Sequence, residues 1–170
     1  MSFKKRFLEA LPEVPAGIDI GLGEFVTYDK STLAVLERES SDFLHEVGMP
    51  VCASPFLNFN SYSSYEISEL YELGVLTESY YPIGSNGSGD ILAIDIKSNE
   101  IVYFNHDCNN ERVFINSSLD KLSESLCIFQ LCLTNSSMNQ CSELIRKVDP
   151  SAIQVNTMWF DEIQSEMESS

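Results

Sequence analysis

The chain has 170 residues, of which 44% are hydrophobic, and it carries 26 acidic against 10 basic side chains, for a net charge of −16. This length predicts one domain, or one domain with a tail, and the hydrophobic content excludes wholesale disorder. The charge argues against a surface for nucleic acid or for anionic lipid, because both need clustered Lys and Arg. We expect a basic protein partner, and charge kept only for solubility is the alternative.

The first third of the chain predicts helix, loop, strand and helix in that order. Apolar spacing predicts a helix over residues 2–11, and the prolines and glycines of residues 13–23 predict a loop. A short strand is predicted over residues 24–28. Residues 30–47 predict a second helix, with its apolar side chains at three- and four-residue spacing and a glycine just beyond its end.

The middle of the chain holds the strongest strand signals. Residues 91–96 and 101–104 are rich in Ile, Val, Tyr and Phe, and the polar connector 97–100 between them has hairpin length. A Gly-rich turn at residues 84–89 precedes them, and a third short strand is predicted over residues 113–115. Together they predict an antiparallel meander.

The last third predicts three helices. Asn116, Ser117 and Ser118 offer side-chain oxygens for a helix start, and residues 119–133 then carry one apolar stripe. Weaker patterns predict helices over residues 140–148 and 158–167. The fold class that follows is α+β, with an antiparallel sheet of about five strands, helices packed against it, and C-terminal helices.

Several short motifs in this order resemble one family. They are a Tyr-x-x-Ile-Gly opening at Tyr80, the Gly-rich turn, Asp90 before a strand, a strand that ends in Asn-His-Asp at residues 105–107, and Ile-Asn-Ser-Ser-Leu at residues 115–119. Upstream, residues 43–50 read Phe-Leu-His-Glu-Val-Gly-Met-Pro, with Met49 where the family has Leu. The chain resembles the SUKH superfamily of immunity proteins over roughly residues 33–133.

The resemblance implies a non-enzymatic protein that binds and neutralises a partner toxin, often a nuclease. Other members of the superfamily regulate cell-wall synthesis or have no known role. The implied organisation is a single SUKH-like domain over residues 1–150 and a C-terminal helical extension over residues 151–170.

The secondary structure of residues 51–76 is the most ambiguous in the sequence. Residues 55–59 predict a strand, whereas residues 67–73 fit either a strand or a short helix, and the resemblance favours a strand. Tyrosines are dense from here onward and predict either the rim of the core or a tyrosine-rich binding surface. They are Tyr62, Tyr65, Tyr71, Tyr80 and Tyr81.

The acidic side chains are unevenly spread. No Lys or Arg occurs from Glu39 to Ile96, a span that holds nine Asp and Glu residues. Such a stretch produces a negative potential that favours encounter with a basic partner, and a solvated acidic surface without a partner is the alternative. The partner contacts are predicted to come from this pool: Glu39, Asp42, Glu46, Glu66, Glu69, Glu72, Glu78 and Asp90.

Three enzymatic or ligand-binding patterns are weak. His106 and Cys108 are two residues apart, but no oxyanion or substrate-positioning motif accompanies them, so a strand end running into a loop is the interpretation. The Gly-rich run lacks the Gly-Lys-Ser/Thr end of a P-loop, and the two histidines lack zinc-site spacing. A hydrolytic site made of two acidic side chains remains an open alternative, because a sequence does not show which acidic residues lie close together in space. We predict no enzyme, no cofactor and no metal.

The five cysteines are odd in number and form no Cys-x-x-Cys motif. They predict small buried hydrophobic residues in a reducing compartment. The N-terminal residues lack the apolar segment of a signal peptide, and no apolar run has the length of a membrane span, so a cytoplasmic location is expected.

Two further functions remain open beside toxin neutralisation. One is a regulatory or scaffolding module with a host protein as its partner. The other is a small hydrolase that uses His106 or an acid pair.

Overall fold

The computed structural model describes residues 2–13 and 22–169, so most of the predicted loop at residues 13–23 lies outside the described residues. The helices are α1 Phe3–Ala10, α2 Arg38–Glu46, α3 Ser64–Glu72, α4 Leu119–Thr134, α5 Met138–Val148 and α6 Met158–Ser169. The strands are β1 Phe25–Val26, β2 Met49–Pro50, β3 Cys52–Ala53, β4 Leu57–Phe59, β5 Tyr80–Ser85, β6 Ile91–Asp95, β7 Ile101–Asn105 and β8 Glu111–Asn116. Short 3₁₀ turns lie at Leu33–Val35, His106–Cys108 and Pro150–Ile153.

The main sheet has six strands in the order β3-β4-β5-β6-β7-β8, and every neighbouring pair is antiparallel. Strands β1 and β2 form a separate two-stranded sheet. Each strand of the main sheet therefore pairs with its neighbour in sequence, which is the meander that the sequence predicts. The α+β class is confirmed, with one strand more than the five expected in the main sheet.

Gly84 is required by the close approach of β4 to β5. A Cβ at this position would lie 2.2 Å from the carbonyl oxygen of Asn58 on the neighbouring strand. The pairing of β5 with β6 also shifts register between Pro82 and Gly84, as in a β-bulge. The glycine that opens the Gly-rich run thus serves strand packing rather than a flexible turn.

The hydrophobic core joins the sheet to α1, α4, α5 and α6. Helix α4 packs against both α1 and α5, and α5 packs against α6. The predicted apolar stripe of α4 is confirmed, since Leu119, Leu122, Leu126 and Phe129 are all buried. The N-terminal and central helices are also joined by a pair between the Arg6 guanidinium and the Glu124 carboxylate.

A buried polar network ties the end of the sheet to the C-terminal helices. The side chain of Asn116 accepts a 2.8 Å hydrogen bond from the Trp159 indole and donates to Ser125 and to Asp149, each at 3.1 Å. Asp149 also accepts a 2.8 Å bond from the backbone N–H of Ser117. Asn116 and Trp159 are fully buried, so these bonds replace water that the groups would otherwise need.

The predicted helix over residues 30–47 is interrupted. The chain forms the 3₁₀ turn Leu33–Val35, becomes extended at Leu36 and Glu37, and begins α2 only at Arg38. Leu33 and Leu36 are buried as predicted. The apolar spacing therefore predicts the burial of Leu33 and Leu36 but not the break in the helix, because a 3₁₀ turn also places residues three apart on one side.

The favoured strand over residues 67–73 is wrong, because residues 67–72 belong to α3 and Leu73 is its C-cap. A capping box starts the helix: the Ser63 hydroxyl accepts from the Glu66 N–H at 3.3 Å, and the Glu66 carboxylate accepts from the Ser63 N–H at 2.7 Å. The sequence carries the helix-start signal Ser-x-x-Glu at residues 63–66. In the structure this cap determines the conformation, although the apolar run after it also suits a strand.

The predicted burial of the five cysteines is confirmed for three of them and wrong for two. Cys127, Cys132 and Cys141 are buried, whereas Cys52 and Cys108 are exposed. Other boundaries shift only slightly: α5 starts two residues earlier than predicted, and α6 extends two residues further, to Ser169. Among the described residues, none of the helices is both apolar enough and long enough to cross a bilayer.

We expect Asn116→Ala to lower the free energy of unfolding by about 3 kcal/mol, because it leaves the buried Trp159 N–H and Asp149 carboxylate with fewer partners. Urea unfolding followed by tryptophan fluorescence measures the loss. Asn139→Ala, which changes an exposed residue of α5, is the matched control and should stay within about 0.5 kcal/mol of the parent. Equal losses in the two variants would contradict this role for the network.

We expect Ser63→Ala to weaken α3 locally by about 1 kcal/mol, since the substitution removes the side-chain cap. Amide hydrogen exchange should then speed up about fivefold in the first turn of α3, with little change in the sheet. The neighbouring exposed Ser64→Ala is the control.

Candidate protein-binding surface

Helix α3 lies on the outside of the domain. None of its residues is buried, and only Ile67, Leu70 and Tyr71 are half-buried. At 100° per residue these three positions share one side of the helix. The opposite side therefore faces solvent along its whole length.

The helix is nevertheless held in place at both ends. Before it, the Tyr62 hydroxyl donates to the carbonyl of Gly84 at 3.2 Å. Near its C-terminus, the Tyr71 hydroxyl donates to the carbonyl of Tyr80 at 2.8 Å, and the following Leu76 is buried. The exposed side is thus presented by a fixed helix rather than by a free segment.

The exposed side combines apolar and acidic groups. Tyr65, Leu73 and Val75 are exposed to 75%, 71% and 49%, and Leu73 and Val75 are two residues apart in the chain. We define the α3 surface as the outward side of the helix and the segment after it: Tyr65, Glu66, Glu69, Glu72, Leu73, Val75 and Glu78.

The carboxylates of the α3 surface differ in what they bind. Glu66 caps the helix, and hydrogen bonds from the backbone and hydroxyl of Ser63 lower the pKa of its carboxyl group. Glu69, Glu72 and Glu78 are exposed and form no ion pair with any described residue. Three negative charges on this surface are therefore not neutralised by an ion pair within the described residues.

The other predicted contact residues lie elsewhere. Glu39, Asp42 and Glu46 follow i, i+3, i+7 spacing along α2 and so share one stripe of that helix. Asp42 pairs with Arg38 at 3.3 Å. The eight predicted acids thus divide into an α2 group, an α3 group and Asp90.

Asp90 is buried and its carboxylate is used inside the protein. It accepts from the side-chain amide of Asn86 at 2.9 Å and from the backbone N–H of His106 at 3.1 Å. The ring Nδ1 of His106 lies 2.6 Å from the same carboxylate. Asn86 in turn accepts from the backbone of Ser88 and of Asp90, which closes the Gly-rich turn.

The contact between Asp90 and His106 shifts the pKa of both side chains. Burial alone would raise the pKa of Asp90, but the hydrogen bonds from His106 and Asn86 outweigh it, so the pKa of this carboxyl group is lowered. The hydrogen bond to Asp90, and then the charge of Asp107, raise the pKa of His106. Each partner therefore favours the charged form of the other.

A pocket of about 300 Å³ lies between the end of α3 and this turn. Its lining includes apolar side chains on both sides and the Asp90–His106 pair: Leu73, Val75, Ile91, Phe104, Asp90 and His106.

His106 and Cys108 lie in the 3₁₀ turn that follows β7, so the predicted strand end running into a loop is confirmed. The His106 ring contacts a carboxylate through each nitrogen, since its Nε2 lies 3.3 Å from Asp107. The ring is thus occupied by Asp90 and Asp107, and Cys108 is exposed. Within residues 2–13 and 22–169, no group of three or more His, Cys, Asp or Glu residues could hold a metal ion.

Four of the five clustered tyrosines have structural roles. Tyr81 is buried and its hydroxyl lies 2.8 Å from that of Thr32, and Tyr80 packs edge-on against Phe104 at 4.9 Å. Tyr62 and Tyr71 anchor α3. Only Tyr65 of the cluster lies on the α3 surface, so the core-rim alternative holds for most of the cluster.

Comparisons with protein-family models, with curated proteins and with solved structures found no match to this chain.

Sequence reasoning missed the exposed Leu73 and Val75 and the pocket beside them. Leu73 and Leu76 are chemically identical and three residues apart, yet one is exposed to 71% and the other is buried. The turn after α3, with Gly74 at a φ of +68°, separates them. A sequence pattern shows that a leucine is present but not which side of such a turn it takes.

We expect Asp90→Asn to lower the pKa of His106 toward its ordinary value of 6.5, because the main group that favours the charged ring is removed. An NMR titration of the imidazole resonances measures the pKa of His106 in each variant. Asp107→Asn is the matched control and should lower the pKa less, since Asp107 contributes less to the shift.

The same pair makes stability depend on pH in a defined window. The raised pKa of His106 gives a contribution that is complete below pH 6.5 and is lost as pH rises through the pKa in the folded state. The lowered pKa of Asp90 gives a contribution present above pH 3.8 and lost as pH falls through its folded pKa. The contribution of the pair should be largest between these two values. Asp90→Asn should lower stability in this window and flatten the decline on either side of it.

Proposed function

We propose that this protein is a non-enzymatic, immunity-type binding protein that neutralises a partner toxin by occupying a basic site on it. The observation that carries the proposal is the set of unpaired carboxylates Glu69, Glu72 and Glu78 beside the exposed Leu73 and Val75. Acidic groups around exposed apolar side chains are what a protein-binding surface needs, because the charges speed encounter and the apolar groups hold the complex.

The charge of the partner follows from complementarity. No Lys or Arg occurs between Glu39 and Ile96, so a basic surface meets no like charge from this stretch. A nuclease has a cleft that attracts phosphate and is therefore basic. Carboxylates held on a fixed helix could replace phosphates in such a cleft, which makes a nuclease domain the toxin class that the surface fits best.

A binding role is favoured over the hydrolase alternative by the surroundings of His106. Its ring already contacts Asp90 and Asp107 through its two nitrogens. The pocket beside it is lined by apolar side chains together with Asp90, His106 and Asn110. The α2 group of acids, Glu39, Asp42 and Glu46, adds negative charge to the same domain and would assist long-range attraction. The proposed location is the cytoplasm, where a toxin that acts on nucleic acid would have to be met.

Copurification from the native cell, with the tagged full chain as bait, tests the proposal. Recovery of a basic toxin domain whose activity is inhibited by the added protein is the expected result. Recovery of a constitutive cellular protein alone would favour the regulatory or scaffolding alternative and contradict neutralisation.

We expect the triple variant Glu69→Gln, Glu72→Gln and Glu78→Gln to bind the recovered toxin about 10 to 100 times more slowly, because it removes charge that attracts the partner. Stopped-flow association at low and high salt measures the effect, and the loss should shrink as salt rises.

The matched control removes the same number of charges from other exposed glutamates: Glu9→Gln, Glu143→Gln and Glu168→Gln. Equal slowing in the two triple variants would show that net charge, rather than the α3 surface, attracts the partner.

A further inference from the structure

We propose that the pocket between Leu73 and His106 is the anchor point of the α3 surface, and that it receives one large apolar side chain flanked by Lys or Arg in a basic segment of the partner. This inference rests on the proposed function, because it assigns a specific contact within the same interface.

Four of the residues that line the pocket are apolar and can contact an apolar occupant, and Asp90, His106 and Asn110 form the polar part of the lining. Leu73 and Val75 form one side and remain exposed, whereas Ile91 and Phe104 form the other side and are half-buried. A volume of about 300 Å³ accommodates one aromatic or leucine-sized side chain. Filling it would remove apolar surface from water on both sides at once.

Carboxylates that lie outside the lining of the pocket, two of them next to lining residues in the chain, favour basic residues beside that side chain. Glu72 precedes Leu73 in the chain, and Glu78 lies close enough to Tyr71 for its charge to raise the pKa of the tyrosine, after the larger effect of burial. Asp107 is exposed beside His106. The partner segment is thus expected to carry positive charge on each side of its apolar anchor.

Both walls are held before any partner arrives. Hydrogen bonds within the Asn86–Asp90 turn and from His106 fix one wall, and Tyr80 packs edge-on against Phe104. On the other wall, the backbone N–H groups of Val75 and Leu76 donate to the carbonyl of Leu70 at 3.0 and 3.2 Å. A pocket formed in advance loses little conformational freedom on binding.

The probe is the synthetic peptide Gly-Lys-Arg-Phe-Arg-Lys-Gly, titrated into the ¹⁵N-labelled full chain and followed by NMR. We expect saturable shifts centred on Val75, Phe104 and His106. The same peptide with Ala in place of Phe should bind at least about tenfold more weakly, because the anchor is lost. Shifts that are equal for the two peptides would overturn the proposal, as would shifts confined to α2.

The double variant Leu73→Ser and Val75→Ser should weaken binding of the Phe peptide by about tenfold. Leu131→Ser together with Val155→Ser, which changes the same residue types at exposed positions outside the pocket, is the matched control and should bind as the parent does. The NMR spectrum of each variant shows directly whether it is folded. Equal binding by both double variants would contradict an anchor role.

The variants distinguish failure of the pocket proposal from failure of the proposed function. If the triple Gln variant at Glu69, Glu72 and Glu78 loses the native toxin but the Leu73 and Val75 variant does not, the acidic surface is the interface and the pocket proposal is wrong. If the native toxin binds both variants as it binds the parent, the proposed function itself is wrong at this surface.

Discussion

The fold depends on a buried polar contact at the end of the sheet. Asn116 is the last residue of β8, and its side chain joins Trp159 of α6 to Asp149 after α5 and to Ser125 of α4. Apolar packing alone would allow several arrangements of three helices on a sheet. A buried amide with three directional partners specifies one of them, because any other arrangement leaves polar groups without hydrogen bonds.

Helix α3 lies outside this core and is held by the sheet. Helix α3 contributes no buried residue and so adds little to the core. Its exposed apolar and acidic side chains are supported by Tyr62 and Tyr71, which bind backbone carbonyls of β5. The sheet therefore supplies rigidity, and the helix supplies the surface that the proposed toxin would meet.

Much of the fold could be predicted from the sequence, because the relevant signals are local. The meander and the α4 stripe follow from residue type and spacing, and both are confirmed. The α3 error has a different cause, since the apolar run after Glu66 suits a strand while the Ser63 cap specifies a helix. The candidate site was harder to predict. Asp90 and Glu72 both carry a carboxylate, yet Glu72 is exposed and Asp90 is buried. The hydrogen bonds that hold Asp90 come from Asn86 and from His106, and the fold brings these two residues together although they are far apart in the sequence.

The order of the strands has a consequence for how the chain folds. Strands β5, β6 and β7 each pair with the next strand across a short loop, so the entropy lost in each closure is small, whereas β4 and β5 are separated by α3. The Arg6–Glu124 pair spans 118 positions, so its closure costs more chain entropy than that of any of these hairpins. We therefore expect the meander to form before the N-terminal helix docks onto α4.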